Sequence, residues 1–86
     1  MNRVSALGTI ESILQGRPTT TLDFARACST LNVHVCGRNG GAKWSFDGRH
    51  GRMPAFDPDH IITPDSDQQY RKIAEAVRDF YAAQPV

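Results

Sequence analysis

Apolar residues recur along this chain with two different periods, and the change of period divides it. Val4, Leu7, Ile10, Ile13 and Leu14 fall at three- and four-residue steps, the repeat of a short amphipathic helix. Gly16, followed by Arg17-Pro18-Thr19, predicts its end. Gly8 lies inside the stretch and costs the helix about 1 kcal/mol relative to alanine. A second helix is expected to begin after Thr20 or Thr21. Thr20 and Asp23 have capping-box spacing, with Asp in place of the usual Glu or Gln. Leu22, Ala25, Cys28 and Leu31, with Phe24 and Ala27 beside them, supply its apolar side.

The period then becomes alternating. Val33 and Val35 point one way and His34 and Cys36 the other, as in a half-buried strand. Arg38-Asn39-Gly40-Gly41 holds an Asn-Gly pair, which favours a tight primed hairpin turn. Beyond it Trp44 and Phe46 share a strand face, with Lys43, Ser45 and Asp47 opposite. Gly48 and Gly51 allow a second reversal into a short strand from Arg52 to Phe56. Pro54 lacks a donor N–H, so this third strand is expected at an edge.

Asp57-Pro58-Asp59-His60 reads as a turn and Ile61-Ile62 as a buried anchor. Ser66 and Gln69 then have capping-box spacing, with Asp65 and Asp67 suited to the positive end of a helix. Tyr70, Ile73, Ala74, Val77, Phe80 and Tyr81 form one stripe, while Gln68, Arg71, Lys72, Glu75, Arg78 and Asp79 stay outside. The resulting class is α+β: an N-terminal helix within residues 1–16, then an α-β-β-β-α unit over residues 21–83. Its three-stranded antiparallel sheet is expected to pack on helices, with Trp44, Phe46, Ile73, Val77 and Phe80 mutually buried.

Length and composition fit that reading. Eighty-six residues make one domain, 1–86, because two halves would each be too small to bury a core. The chain is 40% apolar and 22% charged, an ordinary globular balance. No apolar run is long enough to span a bilayer, and Glu11 and Ser12 interrupt what would have to be a signal peptide. A cytoplasmic location without membrane contact is the expectation. Cys28 and Cys36 are too few for a disulfide scaffold and are expected as packing residues; if either is exposed, a thiol-linked homodimer is open to the protein.

The net charge of +1 conceals an asymmetry. Residues 1–52 carry seven basic and three acidic groups, and residues 53–86 carry three basic and six acidic. Arg38, Lys43, Arg49 and Arg52 fall close together, with His34 and His50 nearby and only Asp47 opposing them. On a hairpin these cations are expected to converge and follow a phosphate backbone; the plainer reading is a solvated sheet face whose charges discourage edge pairing. Asp57 and Asp59 offer an acidic contact surface for a basic protein, or simply flank a proline turn. His34, Cys36, Cys28, His50 and His60 lack paired metal-ligand spacing, so no metal or other cofactor is expected. No nucleophile elbow, phosphate loop or dinucleotide fingerprint is present, which argues against an enzyme.

From Thr21 to Tyr81 the element order resembles the α-β-β-β-α fold of HicA-type mRNA interferases and of double-stranded-RNA-binding domains. The likeness rests on the helix Leu22–Leu31, the strand Val33–Cys36, the glycine-bearing segment Asn39–Phe46, the turn Asp47-Gly48-Arg49 and the closing amphipathic helix. In HicA-like proteins a catalytic histidine stands three residues before an aromatic; here that position is Lys43, three before Phe46. The resemblance thus implies the fold without the ribonuclease chemistry, since lysine does not replace imidazole as an acid/base near neutral pH. The expected partner is nucleic acid, or a protein complex that handles it, met through Arg38, Lys43, Arg49 and Arg52. Two alternatives stand beside it. One is a stoichiometric inhibitor of a defence or nuclease complex, of the anti-CRISPR kind. The other is a HicA-type ribonuclease in which His34 or His50 replaces the missing histidine.

Overall fold

The computed structural model describes residues 1–38, 41–54, 57, 59–63 and 68–83. Its elements run α1 (Arg3–Leu14), β1 (Thr19–Thr20), α2 (Thr21–Thr30), β2 (His34–Arg38), β3 (Gly41–Phe46), β4 (Arg49–Met53), β5 (Ile61–Ile62) and α3 (Gln68–Ala83). Strands β2, β3 and β4 form an antiparallel sheet with β3 at its centre, while β1 pairs antiparallel with β5 in a separate ladder. Helices α2 and α3 pack on the sheet, and α1 packs on both of them. The fold is therefore the α+β class expected, with the α-β-β-β-α order, and the β1–β5 ladder is an addition.

Helices α1 and α2 start and stop for local reasons. Asn2 caps α1, its side-chain oxygen accepting from the Ser5 N–H at 2.8 Å. At the other end Arg17 N–H donates to the Ser12 carbonyl and Gly16 N–H to that of Ile13, with Gly16 at φ 78°. This is the Schellman pattern, which satisfies carbonyls that the helix leaves unpaired. Helix α2 repeats it with Asn32 at φ 62°: Val33 N–H donates to Cys28 and Asn32 N–H to Ser29. Thr20 caps α2 as its spacing predicts, accepting from the Asp23 N–H at 3.2 Å. The expected cap of α3 at Ser66 lies outside the described residues.

The core is drawn from all three helices and the sheet. Phe24, Leu31, Ile10, Tyr70, Ile73 and Val77 are buried together with Trp44 and Met53. Phe24 and Tyr70 meet edge to face, ring centroids 5.1 Å apart. The aromatic end of the sheet is shallower than expected: Phe46 and Phe80 are only partly buried and pack edge to face at 5.2 Å, with Tyr81 beside them. Two apolar stripes also need correcting. Val4 is 80% exposed and Leu22 41%, and Ala6, Ile10 and Ile13 make the buried side of α1 instead. The helical period identifies a set of neighbouring apolar positions, but not which of them the packed elements reach.

The second reversal and third strand are also placed differently. The turn is Asp47-Gly48 alone, with φ of 49° and 79°. Positive φ at both central positions is the signature of the primed turn that fits the twist of a hairpin. The third strand therefore starts at Arg49, three residues earlier than expected, and Gly51 lies inside it opposite Trp44. A Cβ at Gly51 would stand 2.9 Å from the Trp44 Nε1; this glycine makes room for the indole rather than for a bend. As expected, β4 is an edge strand. Asn39-Gly40, the expected first turn, lies outside the described residues.

Candidate functional site

Registers in the sheet decide which side chains meet. Residues directly opposite on paired strands share a face, and faces alternate along each strand. Val35, Trp44 and Gly51 make one cross-strand row on the helix-facing side. Cys36, Lys43 and Arg52 make a row on the other side, and His34, Ser45 and His50 make the next. All six residues of these two rows are exposed. Neighbouring strands lie about 4.8 Å apart and alternate residues about 7 Å apart along a strand. The two rows therefore form a small exposed patch, with an open hollow at its His34–Ser45 end.

The electrostatics of the patch are one-sided. Lys43 and Arg52 stand directly opposite one another, an arrangement of like charges that destabilises a strand pair. Among the described residues neither has an ion pair or hydrogen bond to a carboxylate. No Asp or Glu occupies either row. Asp47, in the turn, shares a shallow open hollow with Asn32, His34, Ser45, Phe46 and Phe80. Neither row holds an aromatic residue, although Phe46 and Phe80 line that hollow beside His34 and Ser45.

Arg49 does not join the patch. Its Cα partner is Phe46, on the helix-facing side, and its Nη1 donates to Asp79 Oδ2 of α3 at 3.2 Å. Asp79 also accepts from Arg78 at 3.2 Å, and the two guanidiniums hold its carboxyl below the usual carboxylate range. The expectation that Arg49 lies in the turn and converges with Lys43 and Arg52 is thus corrected: it opens β4 opposite Phe46. Moving the turn to Asp47-Gly48 changes the position of every residue in the third strand. Arg38 closes β2 opposite Gly41, and its side chain lies outside the described residues.

The acidic segment has local work to do. Asp57 Oδ1 accepts from the Asp59 N–H at 3.0 Å, and the Asp57 carbonyl accepts from His60 N–H and from the Thr21 hydroxyl. Together with the β1–β5 ladder these bonds tie Asp57, His60, Ile61 and Ile62 to the start of α2. Asp57 and Asp59 are both exposed. Asp65 and Asp67 lie outside the described residues.

A second concavity, of about 220 Å³, is apolar and lies between α2 and the sheet, bounded by Phe24, Cys28, Val35, Met53 and Tyr70. Burial pushes the Cys28 thiol up to about 12, so it stays protonated and is no nucleophile near neutral pH. Cys36 is exposed on the open sheet face, and both cysteines are free thiols. Among the described residues no group of His, Cys, Asp and Glu side chains is arranged to hold a metal. No helix among them is long and apolar enough to cross a membrane. No protein-family model, curated protein or solved structure matches the chain.

Proposed function

We propose that this domain binds double-stranded nucleic acid through its phosphates, using the open sheet face centred on Lys43 and Arg52. The observation that carries the reading is the unscreened pair itself. Two cations face each other across β3 and β4 with no carboxylate in either row. Such a pair costs stability in the free protein, and a bridging anion removes that cost. The exposure of all six side chains in the two rows leaves the face open to an extended backbone. The Lys43–Arg52 row itself holds no aromatic ring, Phe46 and Phe80 bordering only its His34–Ser45 neighbour, which disfavours the base stacking that single-strand binders use. Contacts of this kind position a protein on nucleic acid without reading its sequence.

The test is charge reversal with a salt titration. Wild-type protein should bind a short duplex with little sequence preference. At pH 8 its affinity should fall with salt with a logarithmic slope of about −2, as expected for two phosphate contacts. The Lys43→Glu/Arg52→Glu protein should fold and lose binding, while Asp57→Lys/Asp59→Lys should keep it. If the acidic reversal alone abolishes binding to a copurifying partner, the target is a cationic protein surface and the nucleic-acid reading is wrong.

A further inference from the structure

The second row of the open face lies directly beside the first. His34 and His50 flank Ser45 from β2 and β4, both exposed. Histidine is the side chain whose ordinary titration falls between pH 5 and 8, whereas phosphodiesters remain anionic throughout that range. Resting on the phosphate-binding reading above, we propose that His34, Ser45 and His50 form a second, proton-dependent phosphate site, so that the domain takes up protons when it binds nucleic acid.

The surroundings of the two imidazoles set the sign. Facing them are Cys36 on β2, Lys43 and Ser45 on β3, Arg52 on β4, and Asp47 in the turn beside His34. Asp79 of α3 is engaged by Arg49 and Arg78. A bound phosphate backbone screens Lys43 and Arg52 and adds negative charge over both rings. It therefore favours the imidazolium forms, whose N–H groups, with the Ser45 hydroxyl, are donors to phosphate oxygens. Proton uptake and binding must then be linked reciprocally.

Alternate residues in β3 place Lys43 and Ser45 about 7 Å apart. Phosphates of one strand of a duplex advance about 3.4 Å along the helix axis per nucleotide. The rows thus lie within reach of phosphates one or two nucleotides apart, and protonation extends the contacted stretch without any change of fold.

The experiment measures binding of a fluorescent duplex between pH 8.0 and 5.5 at several fixed ionic strengths. Wild-type affinity should rise on acidification, and the salt slope should steepen by about 2 as two further phosphate contacts form. The His34→Asn/His50→Asn protein should show neither change. Circular dichroism at both pH values confirms that both proteins stay folded. Wild-type binding that is present but flat across this range overturns this inference alone. A double variant that keeps the full wild-type pH dependence does the same. Absence of duplex binding at every pH overturns this inference and the phosphate-binding reading together.

Discussion

Replacing Gly51 by alanine adds one methyl group to the helix-facing side of β4, where the indole of Trp44 lies across the strand. The new Cβ would stand 2.9 Å from Nε1, 3.3 Å from Cε2 and 3.5 Å from Cζ2 of that ring. Ordinary van der Waals separation is about 3.5–4.0 Å, so the ring or the strand must move by more than half an ångström. Trp44 is only 5% exposed and is hemmed in by the core, so it has little room to retreat. Overpacking of this kind costs about 1–3 kcal/mol. Against it stands the smaller unfolded-state entropy of alanine, worth about 0.4–1 kcal/mol. The steric term wins, leaving a net loss of roughly 1–2 kcal/mol. For a domain of this size that lowers Tm by about 5–15 °C. Urea unfolding followed by the fluorescence of Trp44, the single tryptophan, should show a lower midpoint with an unchanged slope. A Gly51→Ala protein as stable as wild type, with unaltered tryptophan emission, would refute this account of how β4 meets the core.

Phe24→Ala should cost about 3–5 kcal/mol in the same assay, as for a fully buried aromatic, whereas the half-buried Phe80 should cost about 1–2 kcal/mol when truncated; equal losses would contradict the burial described. Ellman's reagent should titrate Cys36 rapidly in the native protein and reach Cys28 only after unfolding, because burial keeps that thiol protonated. Early modification of both would show that the groove beside α2 opens. The lowered pKa of Asp79 means its pairing with Arg49 and Arg78 contributes above the unfolded carboxylate range and is lost as pH falls below it. Asp79→Asn should therefore flatten the acid limb of the stability curve and leave the neutral-to-alkaline limb's shape unchanged.

The elements are legible where period and punctuation agree. Thr20 with Asp23 marks the start of α2, and the stripe from Tyr70 to Val77 marks α3, because caps and faces follow from local spacing. Two features escape for different reasons. The β1–β5 ladder joins two-residue segments forty residues apart, and no local pattern encodes so short a non-local pair. The start of the third strand is ambiguous because Gly48 and Gly51 look alike in the sequence, though one makes a turn and the other receives an indole. Reading Asp47-Gly48 as a two-residue primed turn supplies the missing signal. It pairs Lys43 with Arg52 and Ser45 with His50, and sends Arg49 to the opposite face. The cations are visible in the sequence; their grouping needs the register.

The most direct measurement on the central claim is an amide NMR titration of isotopically labelled protein with a short DNA or RNA duplex at low salt. Shifts should concentrate at His34, Cys36, Lys43, Ser45, His50 and Arg52, fade as salt rises, and leave the buried residues of α1 and α3 unmoved. Shifts confined to the outer face of α3, to residues 57–60 or to the groove beside Cys28, or no shifts at all, would contradict it.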